Sequence, residues 1–146
     1  MLRIVLMICA PLWGTLAVAD SVMEKPEFSR QDPRSWVVMV TQPNCSFCTR
    51  LENEILQPLR ASGQFDNVVR FTAVDIGAAS PLVDFDGSPT TTIQFANRYQ
   101  GFGTPTLLFL SPKGEVLAPP KFGVPDVIDF YAYEIEETIR GLPSVN

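Results

Sequence analysis

A chain of 146 residues, 46% hydrophobic and 18% charged, has enough apolar material for one domain with its own core and is too apolar to be disordered. Its 16 acidic side chains outnumber 11 basic ones and no basic run occurs, which argues against nucleic acid as a partner. It has no histidine, which removes Cys-His proteases, histidine-bearing zinc sites and most copper sites, so no metal and no cofactor are expected.

The N-terminus has the pattern of a secretory signal peptide. Arg3 is the positive start, Ile4 to Leu16 the apolar stretch and Ala17-Val18-Ala19 a small-residue cleavage site. Pro11 and Gly14 interrupt the apolar stretch, which is shorter than the roughly 20 residues a membrane span needs. Residues 1–19 are therefore expected to be removed on export. Arg3 then leaves, so 10 basic residues face 16 acidic ones and the net charge becomes −6. Cys9 leaves too. Only Cys45 and Cys48 remain, so any intramolecular disulfide of the exported chain joins them. An export compartment is oxidising, and there such a pair has chemical consequences.

Residues 20–35 are polar, contain Pro26 and Pro33, and read as an arm leading into a domain over 36–146. Trp36-Val37-Val38-Met39-Val40 is apolar on both faces, as a central strand of a covered sheet requires. Gln42-Pro43-Asn44 makes a short turn. A helix is expected from about Cys45 to about Arg60, with Leu51, Ile55, Leu56 and Leu59 at helical spacing. Pro58 should kink it or end its regular part, and Gly63 fits a stop. Val68 to Val74 is β-rich and gives a second strand. Asp75 to Gly87 reads as a loop. Ser88-Pro89 looks like an N-cap with proline in the first turn, opening a helix to about Tyr99 that buries Ile93, Ala96 and Tyr99. Gly101-Phe102-Gly103 ends it. Thr106 to Leu110 is a third apolar strand, Ser111-Pro112-Lys113-Gly114 a tight turn, and Glu115 to Leu117 a short fourth strand broken off by Pro119 and Pro120. Pro125-Asp126 opens a last helix, with Val127, Phe130, Tyr131, Ile135 and Ile139 at helical spacing.

The chemistry sits at Cys45-Ser46-Phe47-Cys48. Two sulfurs three residues apart in a first helical turn share one face and can close a disulfide with little backbone movement. The helix N-terminus presents unpaired N–H groups to the first sulfur, which favours the nucleophilic thiolate. Cys45 is thus the candidate attacking sulfur and Cys48 the resolving one. A purely structural bridge is the alternative. Closing so short a loop stabilises by only about 2 kcal/mol, against roughly 4.7 kcal/mol for a 100-residue loop, so a lone bridge would stabilise more elsewhere. Asp84 and Asp86 lie in a Gly/Pro-rich loop and read as a turn rather than a cation site.

The order β-α-β-α-β-β-α, with a right-handed crossover and a final hairpin, is that of the thioredoxin fold, an α/β architecture with a central mixed sheet. Within that strand order Pro105 of Gly103-Thr104-Pro105 is expected to be a cis-proline facing the cysteines. The Thr104 backbone would then hold an extended substrate segment by strand-like pairing. Phe47, Phe102 and Phe122 would form an apolar rim, with Tyr99 a core residue.

Over roughly Trp36 to Arg140 the chain resembles periplasmic thioredoxin-like thiol–disulfide oxidoreductases. Cys45-Ser46-Phe47-Cys48 with Gly103-Thr104-Pro105 looks like the DsbC catalytic domain. Gln42-Pro43-x-Cys45, Asp84-Phe85-Asp86-Gly87 and Thr104-Pro105-Thr106 look closer to SoxW-type thioredoxins. Asn44 stands where thioredoxins have Trp, and Met39 where they bury an Asp. The dimerisation domain of the DsbC isomerases is missing, and a monomer is expected. The resemblance implies a periplasmic dithiol reductase of protein disulfides, recharged by a membrane electron donor. The alternatives are an oxidase or isomerase of the same fold, with a membrane electron acceptor for an oxidase, or a non-catalytic binding module with a passive bridge.

Overall fold

A computed structural model describes Pro26, Phe28 and residues 32–145. The expected signal peptide lies outside the described residues. Strand β1 (Ser35–Thr41) runs parallel to β2 (Val69–Asp75) and antiparallel to β5 (Thr106–Leu110). β6 (Val116–Phe122) pairs antiparallel with β5, giving a four-stranded mixed sheet in the order β2-β1-β5-β6. This is the expected α/β architecture.

The sheet has a core on each face because β1 alternates. Val37 and Met39 point into a cluster with Leu51, Ile55, Leu107, Phe109, Tyr131 and Ile135. Trp36, Val38 and Val40 point the other way, onto Phe28, Phe85, Phe95 and Leu108. Residues 36–40 are all 2% exposed or less, so each apolar side chain contributes about 1.5–3 kcal/mol of burial. Phe28, in the stretch read as an arm, is buried and stacks on Phe95 at 4.7 Å between ring centres.

The helix after the cysteines runs through α1 (Ser46–Leu51), a π-helical stretch (Glu52–Leu56) and α2 (Gln57–Ala61). The Gln57 N–H donates to the Glu52 carbonyl. Pro58, the next residue, has no N–H and would crowd the carbonyl four residues back. A wider turn just before it removes that conflict, so the helix continues where an ordinary α-turn would break.

Four expectations are corrected. The loop between β2 and the next helix contains a small hairpin, β3 (Pro81–Val83) with β4 (Pro89–Thr91). Pro89 therefore lies in a strand, and α3 (Thr92–Arg98) begins later. Thr91 is its N-cap, in a reciprocal capping box with Gln94. That register buries Phe95, Ala96 and Tyr99, and Ile93 is exposed. Third, β6 continues through Pro119 and Pro120 to Phe122. It is an edge strand, and the ladder with β5 is irregular between Leu107 and Phe109, where the prolines lie. Fourth, α4 (Ile128–Arg140) starts after Pro125-Asp126 and buries Tyr131, Ile135 and Ile139, while Val127 and Phe130 are exposed.

At the far end of the sheet Asp32 ties the start of β1 to β2. Its two carboxylate oxygens accept from Arg34 Nε at 2.9 Å and Nη2 at 2.6 Å, and Arg70 Nη1 lies 3.3 Å away. The Arg34 side-chain hydrogen bonds lead in pulling the Asp32 pKa from 3.8 to about 2. A depressed folded-state pKa stabilises fully above the unfolded value and fades as pH falls through the folded one. Asp32→Asn is expected to flatten the stability profile between about pH 4 and pH 2 and to cost about 1 kcal/mol at neutral pH. Urea midpoints of both proteins across that window check it.

Candidate active site

β1 delivers the chain to the C-terminal edge of the sheet, and the next four residues place the sulfurs. Asn44 takes φ 59°, in the left-handed region that asparagine tolerates better than most residues. Cys45 follows in extended conformation as the N-cap of α1. Its Sγ accepts the Cys48 N–H at 3.1 Å, which satisfies one of the donors a helix start leaves open. Cys45 and Cys48 are joined as a disulfide, with S–S 2.06 Å and Cα–Cα 5.2 Å. The two sulfurs are not equivalent. Cys48 is 3% exposed, under the helix, whereas Cys45 is half-buried at its mouth.

Register brings the second element to the same edge. Thr106 pairs with Val40 of β1 on one side and with Phe122 of β6 on the other. The Thr104–Pro105 bond just before it is cis, and the Pro105 carbonyl accepts the Gly123 N–H at 2.8 Å. Thr106 Oγ1 donates to the Gly103 carbonyl at 2.7 Å and fastens the loop from below. Phe47, between the cysteines, Phe102, before the Pro105 loop, and Phe122, opposite Thr106 on β6, are 55%, 72% and 60% exposed. Tyr99 is in the core, with its hydroxyl donating to the Gly114 carbonyl at 2.8 Å.

Among the described residues, positive charge next to the motif in sequence and register is sparse or paired. No Lys or Arg occurs from Ser35 to Thr49. Arg50 pairs with Glu54 at 3.3 Å, and Lys121 Nζ lies 3.6 Å from Glu134. Met39 is buried in the same cluster as Leu51 and Ile55. The Asp84 loop is structural. Asp84 is 3% exposed, pairs with Arg98, and accepts the Phe85 N–H at 2.8 Å; Asp86 accepts the Ser88 N–H at 2.8 Å. Among the described residues no cluster of three metal-ligating side chains occurs.

Sequence reasoning missed the support behind the cysteine turn. Gly77, in the stretch read as a loop, sits against the Pro43 ring, and its N–H donates to Asp75 Oδ1 at 2.7 Å. The Ile76 N–H donates to the Thr41 carbonyl at 2.9 Å, carrying the β1–β2 ladder one step on. The available signal was a small residue just past the strand that neighbours the cysteine turn.

A thioredoxin fold with a disulfide-forming Cys-x-x-Cys pair at the mouth of its first helix defines a thiol–disulfide oxidoreductase. The chain belongs to the thioredoxin-like domain family, whose profile matches residues 26–121. Among solved structures it is similar to one described as DsbH oxidoreductase, with a TM-score of 0.58 and 17% identity over 92% of this chain and 96% of that one. It is also similar to a thioredoxin-fold protein from Helicobacter pylori, with a TM-score of 0.52 and 14% identity over 74% of this chain and 83% of that one. No curated protein matches in sequence.

Proposed function

We propose that the protein is an exported, periplasmic reductase of protein disulfides. Cys45 attacks a substrate disulfide, forming a mixed disulfide and expelling one substrate sulfur as a thiolate, which takes up a proton. Cys48 then attacks Cys45, releases the second substrate thiol and leaves the Cys45–Cys48 disulfide. Thr104 beside Pro105 offers its peptide groups to an extended segment of substrate, and Phe47, Phe102 and Phe122 receive its apolar side chains. A membrane electron donor returns the two electrons.

The observation that supports the direction is how little the described residues next to the motif offer a Cys45 thiolate. A strong dithiol oxidant is one whose reduced form is stabilised, and this comes from a low-pKa attacking thiol. Here the Cys45 sulfur has one backbone N–H from Cys48, and the basic side chains next to the motif in sequence or register are paired with glutamates. The reduced form therefore gains little, which leaves the pair on the reducing side. Equilibration with a glutathione buffer is expected to place the couple near about −270 mV, together with turnover of insulin disulfides. A value near about −120 mV would make the protein an oxidant and overturn the direction.

A further inference from the structure

We propose that Gly77 is a positioning residue for the reacting sulfur. It acts through the Pro43 ring, and the absence of a side chain at position 77 sets how Cys45 meets the Cys48 N–H. The inference rests on the reading of Cys45–Cys48 as the reacting pair, but not on the direction in which electrons flow.

The contact is tight. A Cβ built on Gly77 would fall 2.3 Å from Pro43 Cδ and 3.0 Å from Pro43 Cγ. It would also lie 3.1 Å from Asp75 Oδ1, the oxygen that accepts the Gly77 N–H. Gly77 is not among the glycines at positive φ, so its backbone is open to alanine and only space forbids a side chain. The Pro43 ring would have to withdraw by about 1 Å to reach the 3.4 Å of ordinary contact.

Both partners are exposed, but both are tethered. The 75–77 segment is held by the Ile76 N–H on the Thr41 carbonyl and by Asp75 on the Gly77 N–H. Proline is a rigid ring with a fixed φ. Asn44, between Pro43 and Cys45, already occupies the narrow left-handed well at φ 59°, which leaves little slack to absorb a shift. The displacement therefore reaches Cys45, whose Sγ sits 3.1 Å from the Cys48 nitrogen. A shift of about 1 Å at a reacting group costs up to about 100-fold in rate. It also removes the one N–H that favours the Cys45 thiolate.

The test is a double-mutant cycle on the whole chain with Gly77→Ala, Pro43→Ala and both together. The readouts are the alkylation rate of the reduced protein against pH, the equilibrium constant with glutathione, and the thermal midpoint of the oxidised form. Neither thiol readout needs a substrate. Gly77→Ala is expected to move the alkylation midpoint to higher pH. It is also expected to shift the glutathione equilibrium about tenfold toward the disulfide, or about 30 mV. Adding Pro43→Ala removes the clash, so the double variant is expected within about twofold of Pro43→Ala alone. If Gly77→Ala leaves both thiol readouts within about twofold of the parent, the inference fails. It fails equally if the thermal midpoint falls while the thiol readouts do not move, or if Pro43→Ala brings no recovery. Should Gly77→Ala not fold, folding of the double variant upholds the contact, and failure of both overturns it.

Discussion

Cys48→Ser is expected to turn the protein into a trap. Attack on a substrate disulfide needs only the Cys45 thiolate, and Cys45 remains at the mouth of the helix. Release needs an internal thiol, whose effective concentration far exceeds that of any external one. Without Cys48 the mixed disulfide persists, and insulin reduction should fall by at least about 100-fold. The covalent complex should run on a non-reducing gel and vanish on reduction. Cys45→Ser should lose turnover to the same degree and trap little, because Cys48 is 3% exposed beneath the first helical turn. A passive bridge predicts another outcome: either substitution costs about 2 kcal/mol of stability and neither captures a partner. Equal behaviour of the two variants without mixed disulfides would replace the enzyme with a binding module. Partners captured in the cell would name the substrate.

The two serine variants probe the part of the molecule that was plainest in the sequence. Trp36 to Val40, Val69 to Val74 and Thr106 to Leu110 announce themselves because buried central strands need apolar side chains on both faces or nearly so. The cysteine pair and Pro105 are legible because their chemistry is tied to residue type. What stayed hidden was decided by tertiary context. The β3–β4 hairpin has three residues per strand and Leu82 as the one buried apolar side chain in those strands, so it leaves almost no periodic signal. Ser88-Pro89 imitates a helix start well enough to hide the real one, although Thr91 and Gln94 have the spacing of a capping box. Pro119 and Pro120 look like breakers unless the strand is known to be at an edge. In α4 the pattern offered Val127 and Phe130 alongside Tyr131, and only packing against the sheet decides that Tyr131 faces inward. The closeness of Pro43 and Gly77 is a distance between two loops, and no local pattern encodes it.

Phe95→Ala is expected to be among the costliest single truncations, and Ile93→Ala among the mildest, in spite of their nearness on α3. The reason is the register set by Thr91. Phe95 is fully buried, while Ile93 is 37% exposed. Phe95 stacks on Phe28 at 4.7 Å, meets Tyr99 at 4.9 Å and lies 6.2 Å from Phe85. Removing the ring loses its burial, leaves a cavity and deletes aromatic contacts worth about 0.5–1.5 kcal/mol each. The sum is about 3–5 kcal/mol, a large fraction of the roughly 5–15 kcal/mol that holds an ordinary domain folded. Ile93→Ala removes a partly solvated side chain and should stay within about 1 kcal/mol. The loss at Phe95 also reaches the site, because the Gly101 N–H donates to the Ala96 carbonyl at 2.8 Å and so fixes where the Phe102 to Pro105 loop departs. Urea unfolding of the oxidised proteins measures the difference. Similar midpoints for the two variants, or a larger loss at Ile93, would mean that α3 presents its other face to the sheet. The Thr91 cap would then not set the register that carries the chain into the Pro105 loop.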